Sequence, residues 1–477
     1  MRRLWIDCSF VADNPFLRTG IQRCVRELAS RYVQTPPEGF DTVGLLKLDQ
    51  ACITELSLDE IHVRPPDKKP ARRWQAPVAL DVYLQTLLDA ALQVMGALLP
   101  FIRWQRFWWN PASKRGFRGG VAIIWHCLKS PQAAFRLIQG QIGLRALLPL
   151  STSEFQGYRR DFDLEDFNRW ADQREVDAED VLLMLDSSWT LPIWNAVDGF
   201  QARGTRVVSV IYDLIPILHP KWCADDLARA FRDWLDHTLE HSDGAVTISN
   251  TVSTDVRAYL QFARPRLQQI PLASFYLGSD FEMMRAATGS PADAQIFESP
   301  TFLVVGTIEP RKNHAFILDT FDTLWKSGHA INLLFVGRPG WKTEELIHRM
   351  VSHPLHNHRF FYWAGASDSQ LAFAYANATA LIFASQSEGF GLPLMEALVA
   401  RLPVIASDLP IHREVGGDAL RYISLGDPEA LKQAVMESAN HPVDRPTEPL
   451  PAPGLINWDT SAEQLAHALR SVLDCKL

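Results

Sequence analysis

The sequence lacks the cysteine and histidine patterns of metal sites and disulfide-rich domains. Its six cysteines are scattered, with no CxxC pair and no metal-ligand spacing: Cys8, Cys24, Cys52, Cys127, Cys223 and Cys475. Scattered thiols are typical of a reducing, cytoplasmic compartment. The 14 histidines show no ligand spacing, and the cluster His353, His356 and His358 lies in a predicted surface loop. We therefore predict no bound metal.

The sequence also lacks the features of membrane-spanning and nucleic-acid-binding proteins. No apolar run is long and uninterrupted enough to cross a bilayer. Arg2, Arg3 and Asp7 lie where a signal peptide would need an apolar segment, so we expect none. The net charge of −8 argues against general nucleic-acid binding. We expect a cytoplasmic protein, with attachment to the inner face of the cell membrane as an open question.

What the chain does contain is two series of apolar runs with helical segments between them. With 477 residues, of which 47% are hydrophobic, it has enough material for two or three domains. Continuous apolar runs are typical of parallel strands that are buried on both faces. They lie at 181–185, 207–211 and 245–249, and again at 302–306, 332–337, 360–363, 381–383 and 403–406. The pattern predicts an α/β protein with two doubly wound, Rossmann-like domains that face each other across a cleft.

The most informative segment follows the predicted strand at 380–384. Glu388 and Glu396, with seven residues between them, flank a turn that contains glycine, and a helix begins with a proline close to its start. A helix that opens from such a turn presents backbone N–H groups and a positive dipole end, which can bind phosphate. The segment from Leu4 to Gly20, which precedes a predicted helix over 21–32, has the same arrangement.

A basic pair, Arg311 and Lys312, follows the predicted strand at 302–306. Arginine offers a planar fork of donors and lysine a point charge, a combination that suits a pyrophosphate. The alternative is a surface pair in front of a helix whose N-cap is Asn313.

Residues 301–417 resemble the second domain of retaining glycosyltransferase family 4, which has the GT-B architecture. The matching pieces have the family's order and spacing, and they lie at 306–313, 336–337, 367–375, 388–396 and 403–408. The first half is similar, more loosely, to mannosyl- and rhamnosyltransferases of bacterial surface polysaccharide assembly, through residues 19–23 and 213–220. Residues 458–461 resemble the start of the terminal helix that crosses back to the first domain.

The resemblance implies an organisation in three parts. An acceptor-side domain covers 1–285, with a helical and aromatic insertion at about 60–180. A nucleotide-sugar-binding domain covers 286–455, and the terminal helix covers 456–477.

The resemblance also implies roles for residues of the second domain. Arg311 and Lys312 bind the donor diphosphate and stabilise the leaving nucleoside diphosphate, which makes a metal or other cofactor unnecessary. Glu388 lies near the transferred sugar, and Glu396 accepts hydrogen bonds from the ribose hydroxyls. The remaining predicted donor-binding residues are Gly20, Gly306, Gly389, Phe390, Gly391 and Leu392. Phe390 could equally be a packing residue, and Gly20 a simple turn glycine.

The first half departs from the family pattern at two positions. Many relatives carry a histidine after the strand that here ends before Asp186, and the His-Asp pair often found later is Tyr212-Asp213 here. We predict that Asp186 contacts the sugar or acceptor and is catalytic, although it could instead cap the following helix. Trp189 and Asp213 are predicted acceptor contacts. Because the leaving phosphate can deprotonate the acceptor in such enzymes, the missing histidine does not argue for inactivity.

Two further stretches of the sequence have a composition or a motif that could indicate a function. Residues 101–118 combine six aromatic side chains with five basic ones, which suits a peripheral membrane contact; a buried hairpin or an oligomer contact is the alternative. The sequence Asp161-Phe162-Asp163 matches the DxD of metal-dependent glycosyltransferases, but its charged surroundings favour a solvated helix face.

The resemblance therefore implies a retaining, metal-independent hexosyltransferase of polysaccharide synthesis. Its donor would be a nucleoside diphosphate sugar, with GDP-linked mannose or rhamnose favoured by the resemblance. Its acceptor would be a growing lipopolysaccharide, capsule or exopolysaccharide glycan, free or lipid-linked, and no nucleic acid is expected as a partner. The alternatives are a UDP-hexose-dependent enzyme with a small acceptor and a catalytically silent GT-B scaffold.

Overall fold

The computed structural model describes residues 1–17, 20–49, 53–62, 164–191, 193–223, 225–279, 290–441, 448 and 451–475. All of these residues lie in one compact unit, Met1–Arg64 together with Asp161–Leu477. The predictions for 101–118 and for 161–163 lie outside the described residues, and so does most of the predicted insertion.

The first half of the chain forms a seven-stranded sheet with the order β3-β2-β1-β4-β5-β6-β7. The strands are β1 (Arg3–Asp7), β2 (Thr42–Leu48), β3 (Ile53–Leu56), β4 (Val181–Met184), β5 (Arg206–Ile211), β6 (Gly244–Thr247) and β7 (Leu272–Ser274). Neighbouring strands are parallel, except that β3 pairs antiparallel with β2 at the edge. The sequence order reverses direction at β1, where β2 and β4 lie on either side, as in other doubly wound sheets.

Helices connect and cover these strands. They are α1 (Ser9–Asp13), α2 (Gly20–Gln34), α3 (Leu58–Ile61), α4 (Leu164–Gln173), α5 (Trp194–Ala202), α6 (Ile215–Leu218), α7 (Asp225–Glu240) and α8 (Asn250–Ala263). Helix α4, the described end of the predicted insertion, packs as part of the first sheet's core. There Phe167 makes an edge contact with Phe200, with ring centroids 5.5 Å apart.

The second half forms a six-stranded sheet, all parallel, with the order β10-β9-β8-β11-β12-β13. The strands are β8 (Thr301–Val305), β9 (Asn332–Val336), β10 (Phe360–Trp363), β11 (Ala380–Phe383), β12 (Val404–Ser407) and β13 (Arg421–Ile423). The helices are α9 (Pro291–Ile296), α10 (His314–Lys326), α11 (Glu344–Val351), α12 (Asp368–Asn377), α13 (Leu392–Val399), α14 (Pro410–Gly416) and α15 (Pro428–Asn440).

The predicted fold class of two doubly wound parallel sheets is confirmed. Strands β8, β9 and β11 are buried along their whole length, because helices cover both faces of the sheet. The predicted boundary between the domains at 285 and 286 falls among residues 280–289, outside the described part of the chain, and stays a prediction.

The last helix, α16 (Trp458–Asp474), follows the second sheet in sequence but packs against β6, β7 and α2 of the first. Tyr32 donates a hydrogen bond to the carbonyl of Ala462 at 2.7 Å, and the hydroxyl of Ser461 donates to the carbonyl of Tyr276 at 2.7 Å. A Cβ atom at Gly278 would lie 2.6 Å from Trp458, so this glycine permits the close approach of the helix start. Among the described helices, none is long and apolar enough to span a bilayer.

Candidate functional site

The predicted basic pair lies directly after β8, where the turn Pro310–Lys312 follows the strand. Arg311 Nη1 lies 2.7 Å from one carboxylate oxygen of Glu388, and Lys312 Nζ lies 2.5 Å from the other. Arg311 Nη2 also lies 2.8 Å from Glu309. The structure therefore brings the adjacent residues Arg311 and Lys312 together with Glu388, which lies more than 70 positions later in the sequence.

Burial and pairing have opposing effects on the charges of this cluster. Burial alone would raise the pKa of Glu388, but Arg311 and Lys312 hold that pKa well below its usual range. Burial lowers the pKa of Lys312, which Glu388 only partly offsets. The pair therefore keeps the carboxylate ionised in a site where an isolated charge would be costly.

The first domain contributes Asp213, one of the predicted acceptor residues, to the same charge cluster. Its carboxylate accepts a hydrogen bond from the backbone N–H of Ile215 at 3.0 Å. Burial raises the pKa of Asp213, the charge of Arg311 lowers it and that of Glu388 raises it, with a net increase. Asp213 is thus close enough to Arg311 and Glu388 of the second domain to interact with them electrostatically.

The glycine turn after β11 packs closely against the first domain. A Cβ atom at Gly389 would lie 2.2 Å from the carbonyl oxygen of Tyr212, so only glycine fits here. Ser249, after β6, donates a hydrogen bond to the carbonyl of Gly389 at 2.9 Å. Gly391 adopts a φ of 105°, which glycine reaches without strain, and caps α13. Phe390 is buried, and its ring packs 5.9 Å from that of Tyr276. Its predicted contact with the donor stays a prediction.

Glu396 lies on α13 and faces the first domain. It is only 6% exposed, so it is not a solvated surface carboxylate. Arg23 Nη1 donates to its Oε1 at 2.7 Å, and the Tyr375 hydroxyl donates to its Oε2 at 2.8 Å. Glu396 therefore joins the two domains.

The two other predicted donor-site glycines lie at the cleft. A Cβ atom at Gly20, the first residue of α2, would lie 3.2 Å from the Leu392 side chain. Gly306, with a φ of 145°, lies beside the aliphatic part of Lys312, 3.5 Å from the position of a Cβ atom. Gly20 therefore lies beside the start of α13, and Gly306 lies beside Lys312 of the basic pair.

Asp186 and Trp189 have structural roles in the described site. Asp186 is 2% exposed and accepts hydrogen bonds from the N–H groups of Val11 and Ser187, each at 2.7 Å. It therefore caps α1 rather than the helix that follows it. Burial, together with the nearby charge of Asp7, raises the pKa of Asp186 to about 7. Trp189 packs against Phe231 with ring centroids 5.0 Å apart. The sugar and acceptor contacts predicted for both residues stay predictions.

Comparison with known proteins assigns the second domain to a family. Residues 291–445 match the model of "Glycosyl transferases group 1". These residues, about a third of the chain, are similar to a glycosyl transferases group 1 domain.

Proteins that are similar to about half of this chain include named mannosyltransferases. The serotype-specific mannosyltransferase WbdA of Escherichia coli is 37% identical over 269 residues, which is 54% of this chain and 33% of that protein. O-antigen chain mannosyltransferase B of Escherichia coli is 25% identical over 276 residues, 56% of this chain and 71% of that protein. The matched region thus spans about a third of the length of WbdA.

Comparison with solved structures supports the fold of the two domains. Sucrose-phosphate synthase from Thermosynechococcus elongatus superposes with a TM-score of 0.50 at 18% identity, over 69% of this chain and 81% of that one. At this identity the likeness shows the fold alone, and the two facing sheets have the GT-B architecture predicted from the sequence.

Several residues around this site were not assigned a role from the sequence. Arg23 and Tyr375 were part of the resemblance but had no function assigned, and Glu309, Ser249 and Glu414 were not singled out. One signal was available for Arg23, because it lies three residues after Gly20 on a predicted helix and so near the same face. Glu414 accepts hydrogen bonds from the N–H groups of Asn250 and Thr251 at the start of α8, and nothing in the sequence indicates this contact.

Proposed function

We propose that this protein is a glycosyltransferase that moves a hexose from a nucleoside diphosphate sugar to a growing surface glycan. The observation that carries the proposal is the buried cluster of Arg311, Lys312 and Glu388 at the carboxyl end of β8 and β11, opposite Asp213 of the first domain. The family of the second domain supports glycosyl transfer, and the names of the relatives favour mannose as the sugar.

In this proposal Arg311 and Lys312 bind the donor diphosphate. Lys312 is buried and Arg311 is partly buried, and Glu388 forms ion pairs with both. Glu309 is a further partner of Arg311. Preorganised cations in a site with little water stabilise the negative charge that develops on the leaving nucleoside diphosphate. They supply the charge that a metal ion supplies elsewhere, which is why we propose a reaction without metal or other cofactor.

Glu388 would lie beside the transferred sugar, and the backbone from Gly389 to Leu392 would face phosphate and sugar at the start of α13. We propose a retaining reaction in which a phosphate oxygen of the leaving group accepts the proton of the acceptor hydroxyl. The C–O bond to the phosphate breaks as the bond to the acceptor oxygen forms on the same face of the sugar. Asp213, and with it Asp186 and Trp189, would shape the acceptor side.

The acceptor is proposed to be a lipopolysaccharide, capsule or exopolysaccharide glycan, free or lipid-linked. We also propose a cytoplasmic location, with peripheral membrane contact through 101–118. The named O-antigen and serotype-specific relatives support the class of acceptor.

The test begins with binding and ends with transfer. A thermal-shift panel of GDP, UDP, ADP and their hexose derivatives should show one base that raises the melting temperature, because a ligand that binds only the folded state stabilises it. With the sugar nucleotide of that base and a glycan acceptor, Glu388→Gln should lower the transfer rate by about 100-fold or more. Glu345→Gln, a matched change at an exposed position of α11, should leave the rate unchanged.

Two outcomes would contradict the proposal. One is a folded wild-type protein whose melting temperature no nucleotide changes. The other is a Glu388→Gln variant, folded by circular dichroism, that transfers sugar as fast as the wild type.

A further inference from the structure

Arg23 of the first domain reaches across the cleft to Glu396 of the second. Its Nη1 lies 2.7 Å from Oε1 of Glu396, and both side chains are largely buried at this contact. The hydroxyl of Tyr375, on α12 of the second domain, donates to the other oxygen at 2.8 Å. The carboxylate is thus held from two sides, by a cation from one domain and a hydroxyl from the other.

The position of Arg23 on α2 is unusual for a cation. The helix begins at Gly20, so Arg23 lies at the end of its first turn, where the positive end of the helix dipole disfavours a second positive charge. Among the described residues of that turn there is no acidic side chain that would compensate. An anion from outside the helix compensates instead, and Glu396 is that anion.

Glu396 retains the capacity to accept more hydrogen bonds. Each carboxylate oxygen has two lone pairs, so four acceptor directions exist. Arg23 occupies one direction at Oε1 and Tyr375 one at Oε2. A vicinal pair of hydroxyl groups, such as the 2′ and 3′ hydroxyls of a ribose, can occupy the remaining direction at each oxygen.

We propose that Arg23 is a positioning residue for the ribose of the donor. It holds the Glu396 carboxylate in the rotation that presents one acceptor direction of each oxygen to the ribose hydroxyls. This inference rests on the proposed function and on the ribose contact that the family resemblance implies for Glu396. Because Arg23 belongs to the other domain, full recognition of the ribose requires the two domains to be as close as they are in this structure.

The proposal has a specific signature in binding. Arg23→Ala should lower the affinity for a nucleoside diphosphate but not for its 2′,3′-dideoxy analogue, which lacks the hydroxyls that Glu396 recognises. We expect the preference for GDP over 2′,3′-dideoxy-GDP, measured by calorimetry, to fall about tenfold, as expected when a charged hydrogen-bond acceptor is misplaced. If the nucleotide panel selects UDP, the same pair of uridine nucleotides is used.

Two further variants separate this role from a structural one. Glu396→Ala should remove the preference, and Arg23→Ala added to it should cause no further loss, because the two residues act as one unit. Arg23→Lys should retain part of the preference. In transfer assays Arg23→Ala should raise the donor KM more than it lowers kcat.

Helix α2 offers a matched control. Arg31, on the same helix, forms a 2.6 Å ion pair with Asp459 at the start of α16, away from Glu396. Arg31→Ala should leave the preference for the ribose form unchanged. Circular dichroism and melting temperature verify folding, and Arg23→Lys takes the place of Arg23→Ala if the alanine variant does not fold.

The possible results distinguish the inference from the proposal beneath it. Wild-type protein that binds no nucleotide overturns the proposed function, and the inference with it. Wild-type protein that prefers the ribose form, together with an Arg23→Ala variant of the same preference, overturns the inference alone. An equal loss of affinity for both nucleotides also overturns it, because it indicates only a structural role.

Discussion

At the scale of single residues, the site is a balance of buried charges. Two cations, Arg311 and Lys312, are surrounded by the carboxylates of Glu309, Glu388 and Asp213. Burial raises the pKa of Glu309 and of Asp213, while the two cations keep Glu388 ionised. Removing one member of such a cluster leaves a partner charge buried without compensation, which is why substitutions here should affect function strongly.

His314, two residues after Lys312, should make the free energy of unfolding depend on pH. It is buried, its ring lies 4.9 Å from that of Phe335, and burial together with the charge of Lys312 lowers its pKa to about 3. Between pH 3 and about 6.5 the unfolded chain binds a proton that the folded chain does not, so stability is lost as the pH falls through this range.

We expect His314→Phe to remove this pH dependence. Wild-type protein should lose on the order of 2–3 kcal/mol of unfolding free energy between pH 7 and pH 4.5 through His314, and the variant should lose correspondingly less. Urea unfolding across that pH range measures the difference. His358→Phe, at an exposed position, should keep the wild-type slope; identical slopes for wild type and His314→Phe would contradict the prediction.

At the scale of elements, the N-terminus of α8 is shared by both domains. Its N-cap, Ser249, accepts from the N–H of Val252 and donates to the carbonyl of Gly389 in the second domain. Glu414, on α14 of the second domain, accepts from the N–H groups of Asn250 and Thr251 at 2.6 and 2.8 Å. A carboxylate at a helix N-terminus satisfies free amide groups and interacts favourably with the dipole.

Glu414 belongs to the second domain but accepts hydrogen bonds from the start of α8 in the first, so it should help to hold the two domains together. Glu414→Ala should cost about 1 kcal/mol at this contact, the usual value of a helix cap, and should shift the domains apart. Small-angle X-ray scattering would detect this shift as a larger radius of gyration without nucleotide. Glu429→Ala, in the first turn of α15, changes a carboxylate that caps no helix of the other domain and is the control. An unchanged radius for Glu414→Ala would show that the other contacts suffice to hold the domains.

At the scale of the whole molecule, α16 connects the end of the second domain to the first. It buries one face against β6, β7 and α2, and Leu465 and Leu469 on that face are completely inaccessible to solvent. A chain that crosses back in this way fixes the first sheet to the end of the second domain, so the two halves should unfold together.

Leu465→Ala tests this connection. Truncating a fully buried leucine should cost about 2–5 kcal/mol, and the loss should appear in a single transition rather than in one domain alone. Differential scanning calorimetry measures both properties. Phe262→Ala is the control, because Phe262 on α8 is 82% exposed and should change stability by less than about 0.5 kcal/mol. Two separated transitions in the Leu465→Ala variant would argue that the halves unfold independently.

Much of the fold and part of the site could be predicted from local patterns. Continuous apolar runs such as 332–336 indicate buried parallel strands because both faces of such a strand pack against helices. The residues that follow those strands, Arg311 and Glu388 among them, necessarily meet at one edge of the sheet, since all carboxyl ends of parallel strands point the same way. The ion pairs of Arg311 and Lys312 with Glu388 follow from this topology, because β8 and β11 are neighbours in the sheet.

Contacts between the domains could not be predicted in the same way. Arg23 and Glu396 are 373 positions apart, and their meeting depends on the relative placement of two sheets that no periodicity encodes. The same holds for Glu414 at α8, and for Asp186, whose carboxylate caps a helix formed 175 residues earlier. Local patterns of apolar and polar residues specify the element types and the side chains that follow each strand. Which charges of one domain compensate those of the other depends on the packing of the two domains, because it is set by distances between groups that share no local pattern.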